Sequence, residues 1–230
     1  AFGLPQQRTH AERYERAHEY VRVVQGLWDT WEDDAWTHDQ AANRFFDPAK
    51  LHRLDHQGKH LRVAGGLQAP RPPQGHPVMV QAGSSEDGQD LAAATAELVF
   101  TAQQTAEDAR AFYLSLKDRL AAWGRSPDSL KILPGVSPFV GRSEAEAREK
   151  FEQLQSLIDP VLGVGLLSTF LGNVDLSPYP VDGPFPTDLP VTEGWQSRQQ
   201  LFNQMARRDG LSIRQLYERV AGARGHWTIV

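Results

Sequence analysis

The segment Pro77–Gly88, PVMVQAGSSEDG, constrains the fold of this chain more than any other. An apolar strand runs into a small turn holding Gly83, Ser84 and Ser85, and a helix follows directly. A second short strand, Glu97–Ala102, completes a strand–turn–helix–strand unit, the arrangement in which a crossover helix joins two parallel strands. This layout sets backbone N–H groups and two hydroxyls at a helix N-terminus, where an anion such as phosphate is stabilised. A purely structural reading is at least as common in α/β proteins: Ser84 or Ser85 simply caps the helix.

The same alternation continues on both sides. Tyr14, Ala17, Val21, Val24, Leu27 and Trp28 recur at helical spacing between Ala11 and Trp28 and predict a helix with one inward face. Residues 32–77 carry Glu32, Asp33 and Asp34, then Phe45 and Phe46, then a proline-rich run; they predict a long excursion with little regular structure. Beyond the unit, Thr105 opens a helix with Ala109, Phe112, Leu116, Leu120 and Trp123 at helical spacing, and Gly124 ends it. Residues 131–140 read as one further strand, although Pro134 and Pro138 have no N–H to give to a ladder. Ser143 and Glu146 form a capping-box pattern before another helix with Ala147, Phe151, Leu154 and Ile158 inward. Residues 159–193 are rich in Gly and Pro and predict loop, with helices resuming near 198–205 and 213–220. Alternating strands and helices imply a parallel α/β fold, read as a single domain over 1–230.

Composition removes several function classes. The 230 residues contain no cysteine, so disulfides, thiolate metal ligands, thiol nucleophiles and iron–sulfur clusters are excluded together. A formal charge of −5 with no basic block leaves nucleic-acid binding without an electrostatic footprint. No apolar run approaches membrane-spanning length and no signal sequence opens the chain, so the expected location is cytoplasmic. His52, His56 and His60 imitate metal-ligand spacing, but Asp55 and Gly58 interrupt any helix there and no HExxH pattern is present, so they read as loop histidines and no metal is expected. Gly163 and Gly165 follow no strand and lack the third glycine of a dinucleotide loop.

An ordered series of motifs carries a family resemblance. HAERY at 10–14, GLW at 26–28, WEDD at 31–34, HQGKHLRV at 56–63, PVMVQAGSS at 77–85 and AELVF at 96–100 together resemble the nitrilotriacetate, dibenzothiophene-sulfone and long-chain-alkane monooxygenase group of the bacterial-luciferase-like flavin superfamily. The resemblance implies a (β/α)8 TIM barrel that takes reduced FMN from a separate flavin reductase, reacts it with O2 and adds one oxygen atom to a small organic substrate. It also implies a homo-oligomer. Relatives of this group are longer, so the expectation is a partial barrel incomplete at both ends, with strands five, six and seven near 78–82, 98–102 and 131–140 and with the insertion that precedes strand eight. Such a piece is expected to be inactive by itself, because a barrel closes only with all its strands.

Carried over position by position, the resemblance places Tyr14, Ala82, Gly83 and Ser85 around the flavin phosphate, with Ser84 beside them at a position where relatives vary. Tyr14 can donate its hydroxyl to an anionic oxygen, but a tyrosine in a helix's apolar stripe is more often core. His226 matches a polar position near the substrate side of the flavin; a solvated or core-edge histidine is the alternative. Residues 163–179 match a lid over the substrate cavity, and Leu167 or Ser168 stands where some relatives carry histidine, which leaves the substrate open. A phosphate-binding barrel without flavin, or a non-catalytic fragment, would keep the same turn.

Overall fold

A computed structural model describes residues 8–186, 188–190, 196–223 and 226–230. Helix α1, His10–Trp28, opens with a full capping box between Thr9 and Glu12. Its predicted apolar stripe is only half-buried, and its fully buried positions are Glu19 and Val23. The excursion that follows is tied down by polar contacts. The Thr30 hydroxyl accepts from Leu67 N at 3.0 Å, Trp31 Nε1 donates to Leu67 O at 2.6 Å, and a small antiparallel hairpin of β1, His56–Gln57, and β2, Arg62–Val63, lies over α1.

The strand–turn–helix–strand unit forms as its sequence predicts. Strand β3, Val80–Gln81, leads to α2, Glu86–Thr95, and β4, Leu98–Thr101; then α3, Ala106–Leu120, crosses to β5, Lys131–Pro134. The three strands are parallel in the order β3-β4-β5. Ala92, Ala93, Ala96, Val99, Phe112, Leu116, Leu120 and Leu130 form the core between this sheet and its helices. On the other sheet face Val80, Phe100 and Leu133 stay largely exposed, as period-two alternation against buried Val99 requires. No barrel closes among the described residues; what they show is a parallel α/β arrangement.

Two expectations are corrected. The run 131–140 is not one strand: it breaks at Gly135, after which β6, Val136–Pro138, pairs with β7, Trp227–Ile229. Gly135 N still donates to Thr101 O at 2.9 Å, while Gly135 O accepts from Trp227 N at 3.2 Å, so this residue is the hand-over between two sheets. The stretch 159–193 is not all loop either. Asp159 caps α5, Pro160–Phe170, through Val161 N and Leu162 N, with Pro160 in the first turn where its missing N–H costs nothing. Gly163 sits inside this helix because the Tyr217 ring of α7, Ile213–Ala223, occupies the place of its side chain. Helices α5 and α7, with α4, Glu144–Ser156, and α6, Gln196–Asp209, surround a second core of Leu167, Leu171, Phe202, Met205, Leu216, Tyr217 and Val220. Residues 171–186 are irregular as expected; 187 and 191–195 of the predicted loop lie outside the described residues.

Candidate functional site: a hydroxyl-lined turn at a helix start

Ser85 is the N-cap of α2, its hydroxyl accepting from Gly88 N at 3.2 Å. Of the two serines that the sequence offers as caps, Ser85 takes the role, because it has the extended backbone that turns its side chain onto the third helical N–H. The Ser85 hydroxyl donates to Tyr14 Oη at 3.4 Å, so α1 reaches the turn from the far side. The backbones here come very close. A side chain on Gly83 would lie 3.0 Å from Gly88 Cα, and one on Gly88 would lie 3.0 Å from both Ser85 Oγ and Tyr14 Oη. Both glycines thus keep a cradle open beneath the hydroxyls.

Two acidic residues in the first turn of α2 would oppose an anion were they aimed at it. Both instead have partners: Glu86 pairs with Arg119, and Asp87 accepts from His10 Nδ1 at 2.7 Å. The His10 ring also lies 4.8 Å from that of Tyr14, which fixes the phenol's approach. Sequence reasoning missed His10 as a supporting residue, although its place one turn before Tyr14 on the same helix face was a usable signal.

Ser84 looks the other way. Its carbonyl accepts from Gln89 Nε2 at 3.1 Å, and its hydroxyl lies 3.4 Å from the buried Thr101 hydroxyl, which accepts from Gln103 Nε2 at 2.8 Å. Ser84 opens on a cavity of about 450 Å³ whose wall also includes Ala82, Phe100, Gln103, Arg198 and His226. Tyr14, Ala82 and Gly83 line a neighbouring hollow of about 420 Å³. The structure therefore brings Tyr14, Gly83 and Ser85 together at the cradle and sets Ser84 and His226 on a shared cavity, with Ala82 bordering both.

Of the three expected loop histidines, His56 lies in strand β1, and each of the three sits beside a different carboxylate. His52 pairs with Glu32 at 2.8 Å, His56 with Glu19 at 3.0 Å and His60 with Glu15 at 3.4 Å. Glu19 is 3% exposed and also accepts from His60 N at 2.9 Å and Leu61 N at 2.7 Å. These bonds, that of His56 foremost, outweigh burial and hold its carboxyl at about 2, against an ordinary 4.5. The pairs of His56 and His60 staple the hairpin to α1, while that of His52 with Glu32 lies within the excursion.

The sequence model of the family described as luciferase-like monooxygenase matches residues 1–212. The chain belongs to that family. It is 50% identical over 228 residues to nitrilotriacetate monooxygenase component A of Aminobacter aminovorans, covering 99% of this chain and 50% of that protein. Against dibenzothiophene-sulfone monooxygenase of Rhodococcus erythropolis it is 44% identical over 183 residues, 80% of this chain and 40% of the relative. Among solved structures, DmoA from Hyphomicrobium sulfonivorans superposes with a TM-score of 0.81 at 32% identity, over 99% of this chain and 48% of that one. Riboflavin lyase RcaE, solved with modified FMN and riboflavin, superposes with a TM-score of 0.78 at 27% identity, over 99% of this chain and 54% of its own. This member of the family thus spans about half the length of the curated relatives it matches.

Proposed function

We propose that the chain is the flavin-phosphate-binding portion of an FMN-dependent monooxygenase that receives reduced FMN from a separate flavin reductase. The observation that carries this reading is the cradle in which Ser85, Tyr14 and the Gly83–Gly88 close approach converge on the start of α2, with both first-turn carboxylates paired to Arg119 and His10. The group fits: a phosphate there meets the Tyr14 hydroxyl, a Ser85 hydroxyl that exchanges its long bond to Tyr14 for one to the anion, the positive end of a helix and no added side-chain bulk. Gly83, with the Ser84 and Ser85 backbone, holds the anion from below, and Tyr14 donates from the far side.

In the proposed reaction one oxygen atom of O2 enters a small organic substrate, the other leaves as water, and reduced FMN supplies the two electrons. The chain's own share is placement. Its phosphate grip fixes one end of the cofactor, and the cavity shared by Ser84, Phe100, Gln103 and His226 offers a partly apolar space beside it for the substrate. The relatives' printed names suit this reading, as does the flavin chemistry of the superposable lyase.

The test uses the full-length protein. FMN should bind at least about tenfold more tightly than riboflavin, which lacks the phosphate, and oxygenation should require a reductase as well as NADH. Equal affinity for the two flavins, or turnover of NADH by the purified protein alone, refutes the reading.

A further inference from the structure

Gly135 has no conformational reason to be glycine. Its φ lies outside the left-handed region, so its backbone suits any residue. Its steric surroundings are another matter. The three nearest atoms that a side chain would meet all belong to the His226 imidazole: Nδ1 at 2.5 Å, Cγ at 2.9 Å and Cε1 at 3.0 Å. The strand cannot slide aside to relieve this contact, because Gly135 N is bonded to Thr101 O and Gly135 O to Trp227 N, pinning the residue between two sheets. The ring is bounded on another side by Phe100, edge to face at 5.2 Å. Phe100 and His226 both line the cavity that Ser84 opens on.

We propose that Gly135 is a positioning residue, whose missing side chain is the seat holding the His226 imidazole on the cavity wall. Its meaning for ligand binding rests on the flavin reading above. A methyl group at position 135 displaces the ring from the strand, and with Phe100 on its flank the ring moves into space a ligand needs. The effect must travel through the imidazole, so it must vanish when the imidazole is absent.

That requirement gives a double-mutant cycle in the full-length protein with Gly135→Ala, His226→Ala and the pair. Gly135→Ala alone should weaken FMN binding roughly tenfold, lower the apo melting temperature and shift the visible absorption of bound FMN. In the His226→Ala background the same substitution should change none of the three, since the vacated ring leaves room for the methyl. If Gly135→Ala fails to fold by itself, recovery of folding in the pair supports the seat, and failure of both overturns it. Equal effects of Gly135→Ala in the two backgrounds, or no effect in either, also overturn it. If the unmutated protein binds no FMN, the flavin reading falls, while the melting-temperature cycle still decides whether Gly135 seats His226.

Discussion

Ser85 caps α2 in this structure and holds the phosphate in the proposed site, and two substitutions separate these roles. Ser85→Ala removes the hydroxyl that accepts from Gly88 N, an N-cap worth about 1 kcal/mol, and so should lower the apo melting temperature by about 2–4 °C. It also removes a hydroxyl donor to the phosphate, a charge-assisted bond of about 1.5–3 kcal/mol, so FMN should bind roughly ten- to a hundredfold more weakly. Ser85→Asp keeps the cap, because aspartate is as good an N-cap as serine and suits the helix dipole. It also sets a charge against the phosphate, worth about 4 kcal/mol of repulsion per charge pair at about 4 Å and an effective dielectric of about 20. Melting of the apo protein should therefore be unchanged in Ser85→Asp while FMN binding falls by at least about a hundredfold. Riboflavin is the control, and its affinity should fall little in either variant. Fluorescence quenching titrations and a thermal scan measure all of these quantities. Unchanged FMN affinity in Ser85→Asp, or a riboflavin loss as large as that of FMN, refutes the placement of the phosphate at this turn.

Ser84→Ala should weaken FMN binding less than Ser85→Ala, since the Ser84 hydroxyl faces Thr101 and the neighbouring cavity; the same titration ranks them. Arg125→Met removes the guanidinium that closes the end of α2 on Ala93 O at 2.8 Å and Ala96 O at 2.7 Å. At about 1.5 kcal/mol for each bond the loss is near 3 kcal/mol, a fall of about 6–12 °C in melting temperature by calorimetry. Glu19 has a folded-state pKa of about 2, below its ordinary 4.5, so its stabilisation is complete above the ordinary value and is lost as pH falls toward the folded one. Glu19→Gln should be less stable at neutral pH and should flatten acid unfolding between those two values; an unaltered acid limb contradicts the assignment. Gly163→Ala drives a methyl into the Tyr217 ring and should cost about 1–3 kcal/mol in denaturant unfolding, an increment that disappears when Tyr217→Ala is added.

The parts of this chain that could be read from its sequence are those whose cause lies within a few residues of their effect. Thr105 and Ser143 cap the helices they precede, Gly124 takes the left-handed conformation that ends a helical stretch, and the Pro77–Gly88 pattern yields strand, turn and helix in that order. Even there the detail shifts when a neighbour competes: Glu146 bonds to Arg142 N instead of the cap's own N–H, so the capping box forms only in part. What could not be read depends on partners far away in sequence. Gly163 looks like a helix breaker until the Tyr217 ring explains it, and Glu19 looks like a solvated charge until the hairpin's N–H groups close over it. The excursion's Gly58 is the counterpart, since a side chain there would strike the Glu19 carboxylate.

The candidate site divides along the same line. Its turn was legible because Gly83, Ser84 and Ser85 are adjacent and lead directly into the start of α2, where the anion is proposed to bind. The roles of the two serines were not, because only Thr101 and Tyr14, brought in from β4 and α1, decide which hydroxyl faces the cavity and which faces the helix. His226 has the same dependence in stronger form. Its position follows from a strand break at Gly135 that two prolines hint at and only the second sheet completes, so its place is set by a contact between residues far apart in sequence. A residue whose identity is dictated by a partner rather than by its own backbone is best tested in pairs, and Gly135 with His226 is such a pair.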